Sequence, residues 1–389
     1  MSSRNPPRLL DLAIQSVLQD KTSAIAALEW LPTQLFPPLF MAAVTGGHRE
    51  TVKAMVRSWP FLQLPLGALM ESWHSHQDIL KAALDGFDNL LSLKVHPLHG
   101  LTDLCPRNRP DEVLTCLMER AQQGKDMPNL CCRKLEFVGL PPLPVMEEIL
   151  NAVQLDSVQE VALHCRWDLH TLNWFLPYLA QMGQLSTLHI LESWIPPDGM
   201  DKVEELLEKL TSHLLGLHQL QHLILESVFF KDEQLDQLLR GLSTPLESLA
   251  LSYCVPLDSD MRSLCSCPCT SHLRSLDLSG ASVGFSRGFL PSLLERVSAT
   301  LTHLNLADCE IDDSVLSALQ PALGHCSLLS TLVLGGNPIS LGALQGLLCQ
   351  TWPLCKFSLL ELPVPQDCYE DFQVSLCQDA LVEVMQALR

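Results

Sequence analysis

Between residues 158 and 334 the chain returns again and again to one pattern, Leu-x-x-Leu-x-Leu or an aliphatic variant of it. The copies are VQEVAL from Val158, LSTLHI from Leu185, LQHLIL from Leu220, LESLAL from Leu246, LRSLDL from Leu273, LTHLNL from Leu301 and LSTLVL from Leu329. Successive starts lie 27, 35, 26, 27, 28 and 28 residues apart, and a weaker copy, CRKLEF from Cys132, precedes the first by 26. A fixed period of this size marks a repeat architecture, in which no unit can bury its own apolar face and each stacks on the next. The two leucines and the third apolar residue point inward from a short parallel strand and its approach. Three positions after the third apolar residue stand Cys254, Cys309 and Asn337. A side chain there can satisfy backbone groups as the chain turns away from the strand. The rest of each unit has helical spacing, as in DEQLDQLLRGL and DDSVLSALQPAL. The fold class is therefore α/β: a leucine-rich-repeat solenoid, a horseshoe of the ribonuclease-inhibitor type with a full helix behind each strand.

The chain upstream of the repeats reads differently. Residues 8–92 have helical periodicity and no repeat, with runs such as RLLDLAIQSVLQ and PLFMAAVTGGHRETVKAMVRSW. They are expected to form three or four helices that cap the open end of the solenoid. Residues 93–111 read as a loop, and DEVLTCLMERAQQGK as a further helix. The expected organisation is a helical cap and linker over 1–129 and a solenoid over 130–389, closed by the C-terminal helix DALVEVMQALR. The longer step between Leu185 and Leu220 is read as a loop and helix, SWIPPDGMDKVEELLEKLTSHLLGL.

Charge narrows the partners. The 389 residues are 47% apolar and carry a formal net charge of −19. The sequence pI is about 5.0, and no basic patch is found, so neither nucleic acid nor an anionic membrane is an expected partner. Residues 314–355 contain no Asp, Glu, Lys or Arg, yet Pro321, Gly335, Gly336, Asn337 and Pro338 break the stretch, so it does not read as a membrane span. The N-terminal MSSRNPPRLLDLAIQS has no continuous apolar core of a secretory signal, so the 15 cysteines are expected to stay reduced.

Local wording adds a resemblance. LLDLAIQSVLQDKTSAIAALEWLPTQLFPPLFMAA, TVKAMVRSWPF followed by LPLGALM, VQLDSVQEVAL, LDQLLRGLSTPLESLAL and ERVSATLTHLNL occur in this order from about Pro7 to about residue 375. They resemble the PRAME family, named for preferentially expressed antigen in melanoma. The resemblance implies a leucine-rich-repeat protein of cytoplasm and nucleus. It also implies the role of substrate-recognition adaptor in a cullin-2 ubiquitin ligase bound through elongin B/C, with effects on transcription, proliferation, differentiation and apoptosis. The alternative it implies is a transcriptional corepressor or scaffold that binds a nuclear regulator such as a retinoic acid receptor. Two departures stand out. The basic strand-forming segment that relatives carry after the region matching Leu90–Pro97 is replaced by LHGLTDLCPRNRP, so one early repeat is read as missing. The family's longer C-terminal tail is also not found.

Within that frame, two N-terminal motifs carry partner readings. An elongin-binding helix shows an apolar residue, a small residue four later and an aliphatic one four later still, all on one face. Leu9, Ala13 and Val17 supply that spacing; the plain alternative is a cap helix whose apolar face is core. A cullin-2-selecting box reads apolar–Pro–x–x–apolar–x–x–x–apolar, which Leu31, Pro32, Leu35 and Leu39 supply. Pro32 suits a helix start, while Pro37 and Pro38 should end a first short helix near Phe36 and begin another at LFMAA. The plain alternative has Leu35, Phe36 and Phe40 stapling two cap helices together.

Other motifs are read as structure. Leu-x-x-Leu-Leu occurs at 235–239, 290–294 and 344–348, each on a helix whose leucines should face the strands. Cys265, Cys267 and Cys269 with His272 are too tightly spaced for a zinc knuckle, so no metal or other cofactor is expected. VTGGHRE lacks the Lys-Ser/Thr of a phosphate loop, and no hydrolase or metalloprotease signature is present, so the reading is non-enzymatic, with no catalytic residue assigned.

The strands themselves define a recognition surface, because residues between the inward leucines point to the concave face. One column holds Glu160, Thr187, His222, Ser248, Ser275, His303 and Thr331; the next holds Ala162, His189, Ile224, Ala250, Asp277, Asn305 and Val333. Glu160, His189, His222, Asp277, His303 and Asn305 are the candidate contacts for an unknown protein substrate, a basic surface suiting such a groove.

Overall fold

An inward leucine on a short strand covers one face only, so each repeat must find its remaining partners in the repeat beside it. The computed structural model describes residues 9–61, 63–65, 77–92, 99–101, 129–138, 142–164, 169–191, 209–210, 212–214, 216–228, 234–242, 244–254, 258–281, 288–351 and 358–368. It contains a nine-stranded parallel sheet in sequence order. Its strands are β4 (Lys134–Val138), β5 (Glu160–His164), β6 (Thr187–Leu191), β7 (His222–Glu226), β8 (Ser248–Ser252), β9 (Ser275–Asp277), β10 (His303–Asn305), β11 (Thr331–Val333) and β12 (Leu359–Glu361). The α/β leucine-rich-repeat fold read from the sequence is the fold observed. The chain divides into two compact units, residues 1–159 and 160–389.

In the second unit the ladder puts like on like. Leu188, Leu223, Leu249, Leu276, Leu304 and Leu332 are register partners along it, each at most 1% exposed. Burying one such side chain contributes about 1.5–3 kcal/mol. Behind the strands lie α7 (Leu169–Leu179), α8 (Gln234–Gly241), α9 (Asp258–Ser266), α10 (Phe289–Val297), α11 (Asp313–His325) and α12 (Leu341–Thr351). The Leu-x-x-Leu-Leu motifs fall on α8, α10 and α12 and turn inward as expected. Leu235, Leu238, Leu239, Leu290, Leu293, Leu294, Leu344 and Leu347 are buried, and Leu348 is half-buried. Helical starts follow local chemistry: Asp312 caps α11, its carboxylate accepting the Val315 amide at 2.8 Å.

Backbone carbonyls at the ends of short strands receive side-chain donors from the next repeat. The Cys254 thiol donates to the Leu225 carbonyl (3.4 Å) and the Cys309 thiol to the Leu278 carbonyl (3.0 Å). Asn337 Nδ2 donates to the Leu306 carbonyl (2.7 Å) and the Leu334 carbonyl (2.9 Å). Its Oδ1 accepts the amides of Cys309 and Ile311, both at 3.0 Å. In all three cases the upstream acceptor is the third inward residue of the repeat before.

The first unit begins with α1 (Leu9–Leu18), α2 (Lys21–Ala27), α3 (Phe36–Thr45), α4 (Arg49–Arg57) and α5 (Gln77–Ser92). Its core includes an aromatic cluster: Trp59 meets Phe36 and Phe40 edge-on, and the more exposed Phe61 as well, with ring centroids 6.0, 5.2 and 5.8 Å away. Gly86 lets α5 close on α4, because a Cβ there would strike the Lys53 carbonyl and the Val56 side chain. The proline-rich stretch resolves differently from the expected break. Pro32 starts a 3-10 turn over Thr33–Leu35, and α3 already begins at Phe36. Pro37 and Pro38 sit in its first turn, where a missing N–H has no helical partner to lose.

Three further strands were not legible. β1 (Gln63–Pro65), β2 (His99–Leu101) and β3 (Asn129–Cys131) form a separate parallel sheet, pairing Gln63 with His99 and His99 with Asn129. β1 falls in the stretch read as repeat-free, and β2 within the 93–111 read as a loop. β2 also lies where the early repeat was read as missing. QLP and HGL carry a proline and a glycine, poor strand formers, so parallel pairing overrides local preference there. The first unit also holds β4 and α6 (Leu143–Ala152). The expected helices at 111–125 and 379–389, and most of that at 193–217, lie outside the described residues.

The Asn337 network yields a direct test. Replacing Asn337 by Ala strands two buried amides and two carbonyls, and is expected to cost about 3 kcal/mol in urea unfolding. Asn337→Cys, the residue used at 254 and 309, is expected to cost roughly half as much.

Candidate protein-interaction surfaces

The register lines up the outward residues as the repeat spacing requires. Thr187, His222, Ser248, Ser275, His303 and Thr331 form one column, with Glu160 paired to Thr187. Ala162, His189, Ile224, Ala250, Asp277, Asn305 and Val333 form the next. His303 is exposed; Glu160, His189, His222, Asp277 and Asn305 are half-buried, since neighbouring columns shield one another.

These candidates do different jobs. Asn305 Nδ2 donates to Asp277 Oδ2 at 2.9 Å, while Asp277 Oδ1 accepts the Ser279 amide at 2.8 Å. Asn305 Oδ1 accepts the Ala307 amide at 3.1 Å. Both side chains therefore also hold the turns that leave their strands. His189 belongs to a cluster that spacing alone did not reveal. Its ring meets His164 edge-on at 4.7 Å, and its Nε2 lies 3.6 Å from Glu226 Oε2. His164 and Glu226 were missed because β5 and β7 run one residue beyond the six-residue motif. Tyr253, 52% exposed, was missed because it lies past the end of β8, two residues beyond the motif.

In the first unit, α1 turns much of its apolar surface outward. Leu9 is 83% exposed, Leu10 and Leu12 also lie open, Ala13 is exposed and Val17 half-buried. Only Leu18 of this helix is buried. The alternative of a core-facing helix therefore does not describe Leu9 or Ala13. The proline motif divides. Pro32 is exposed and Leu31 and Leu35 are half-buried, but Leu39 is buried at 2% beside Phe36 and Phe40. Leu39 belongs to the core of its own unit and is withdrawn from the cullin-contact set. Trp30, 85% exposed, is a neighbouring apolar residue that motif spacing gave no reason to single out.

The CSCPC loop is a packing feature. Cys267 and Cys269 are buried with sulfurs 3.0 Å apart, and Thr270 Oγ1 donates to the Leu264 carbonyl at 2.7 Å. Arg296 donates to the carbonyls of Cys265 and Cys267, tying α10 to the loop. Burial pushes the Cys265 and Cys269 thiols up. Among the described residues no group of His, Cys, Asp or Glu is placed to hold a metal, and no helix is long and apolar enough to cross a membrane.

A parallel strand ladder backed by helices, with largely polar outward columns, defines a leucine-rich-repeat protein. Comparison with known proteins places it further. The PRAME N-terminal domain profile matches residues 6–105 and the PRAME C-terminal domain profile residues 98–389. Human PRAME family member 8 is 39% identical, over 99% of this chain and 91% of its own. Human PRAME family member 12 is also 39% identical, over 100% and 91%. The chain belongs to the PRAME family. Among solved structures, the leucine-rich repeat-containing protein LegL7 from Legionella pneumophila aligns at a TM-score of 0.43 and 15% identity, over 75% of this chain and 89% of its own.

Thiol chemistry should report the fold. Burial pushes Cys254 up to about 11 and Cys309 up to about 12, from an ordinary value of 9.0. Iodoacetamide labelling at neutral pH, read by mass spectrometry, is expected to modify exposed Cys349 and to spare Cys254 and Cys309 until unfolding. Unfolding releases those thiols to ionise at their ordinary pKa while the folded chain keeps them protonated. Stability is therefore expected to fall as pH rises from about 9 towards 11–12.

Proposed function

We propose that this protein is a non-enzymatic adaptor that recruits a substrate protein to a cullin-2 ubiquitin ligase through elongin B/C. The observation that carries the reading is α1: a helix whose Leu9 and Ala13 are exposed, with Leu10 and Leu12 also open to solvent. A helix gains most of its stability by burying an apolar face, so one left open is suited to a partner. Leu9, Ala13 and Val17 provide the apolar–small–aliphatic row that an elongin groove takes. Leu31, Pro32 and Leu35 remain the candidate cullin contacts. The outward strand columns of the second unit, rich in His, Ser and Thr with acidic residues among them, hold the substrate. Chemistry on that substrate belongs to the recruited ligase. Family membership supports the class of protein, and the adaptor role adds this surface reading to it.

A corepressor or scaffold would use the same strand face without a ligase. The three Leu-x-x-Leu-Leu motifs lend it no support, because their leucines are largely buried. Co-purification with elongin B/C separates the two. The wild type is expected to retain elongin, and Leu9→Ser combined with Ala13→Glu to lose it while remaining folded by circular dichroism. Failure of the wild type to retain elongin, or equal retention by the folded double variant, overturns the adaptor reading.

A further inference from the structure

One position of the repeat, two residues after the third inward side chain, is left-handed in five consecutive repeats. It is Ser227 (φ 56°), Tyr253 (φ 54°), Gly280 (φ 69°), Asp308 (φ 54°) and Gly336 (φ 72°). At four of these positions a second line of hydrogen bonds runs beyond the strands. The amides of Ser227, Tyr253, Gly280 and Asp308 donate to the carbonyls of Ser252, Ser279, Ala307 and Gly335, at 2.8, 2.6, 2.8 and 2.9 Å. Glycine meets this geometry without a Cβ clash, and a bulky aromatic side chain is the least suited to it.

Tyr253 nonetheless occupies it, and burial does not explain the choice, since the residue is 52% exposed. Its ring lies against the bare Cα of Gly280, the equivalent residue of the next repeat, where any Cβ would collide with it. One side of the ring is thus backed by main chain, and the side chain stays largely open to water. Backbone strain kept without burial is the kind of local cost that clusters at functional sites. The surroundings set the chemistry of what would cover it. The outward columns of β5–β12 contain no Lys or Arg. Glu226 ends β7, and Asp308 occupies the same left-handed position in a later repeat, its carboxylate set over Gly336.

We propose that the rim at the C-terminal ends of β7–β10 docks an arginine- or lysine-bearing linear segment of a partner protein, with Tyr253 as its anchor. A guanidinium or ammonium group packs on the open side of the ring, and the rim carboxylates attract the flanking positive charge. The inference rests on the reading that the strand face receives a protein, and it names the chemistry of what is received.

The probe is a fluorescein-labelled (Gly-Arg)4 peptide, with (Gly-Glu)4 as control, followed by anisotropy against the full chain at low salt. Tyr253→Gly removes the ring and also relieves the left-handed strain, so the variant is expected to fold with an unchanged or raised Tm. It should weaken (Gly-Arg)4 about 5-fold or more, while Tyr253→Phe stays near wild type. Equal binding of (Gly-Arg)4 by folded Tyr253→Gly would mean diffuse attraction to an acidic chain, and would sink the proposal. So would equal binding of (Gly-Glu)4. Elongin B/C retention is measured on the same samples. Elongin retained without Tyr253-dependent peptide binding leaves the adaptor reading standing and removes this one. Tyr253-dependent binding without elongin does the reverse.

Discussion

Each strand of the second unit is three to five residues long, and a strand that short cannot satisfy or bury itself. What holds it is the registered offset of one repeat. The same leucine meets the same leucine, and the same backbone group meets the same donor about 27 residues on. Asn337 shows how strict the constraint is, joining the carbonyls of Leu306 and Leu334 to the amides of Cys309 and Ile311 within one buried side chain. The buried thiols of Cys254 and Cys309 do a reduced version of the same task. Their pKa is raised chiefly because burial penalises the charged thiolate.

Fixing the inner face so tightly leaves the outer face free to vary. The inward strand positions of the ladder are aliphatic, mostly leucine, whereas the outward columns hold His, Ser, Thr, Asp, Asn, Glu and small apolar residues side by side. Some of those residues also serve the scaffold, as the Asp277–Asn305 pair does where it secures two turns. On the same face His164 meets His189 edge-on, His189 Nε2 lies 3.6 Å from Glu226 Oε2, and Tyr253 rests on Gly280 beyond β8. Their chemistry points outward.

The first unit uses another logic. Its core gathers aliphatic side chains around an aromatic cluster at Trp59, and its first helix keeps Leu9 and Ala13 outside that core. The proline-rich segment serves both ends of this arrangement. Pro32 opens a short turn, Pro37 and Pro38 open a helix, and the helix then delivers Phe36, Leu39 and Phe40 to Trp59's neighbourhood or the core around it. A motif that matched a partner box at four positions thus proves to be core at one of them.

The repeat period, the inward leucines, the two outward columns and the buried Leu-x-x-Leu-Leu helices were all legible in the sequence. Periodicity is a local property of the chain, and a solenoid turns local periodicity directly into spatial register. The sequence also placed Cys254, Cys309 and Asn337 at the turns. It did not reveal β1 and β2, because QLP and HGL become strands only when a parallel neighbour supplies their hydrogen bonds. Nor did it decide which apolar residues of the N-terminal helices face water, since Leu9 and Leu39 are the same residue type in similar helical surroundings. That choice is made by how helices pack. The left-handed rim is likewise a tertiary outcome: nothing in the residues around Tyr253 asks for a positive φ until the carbonyl of Ser279 in the next repeat takes its amide.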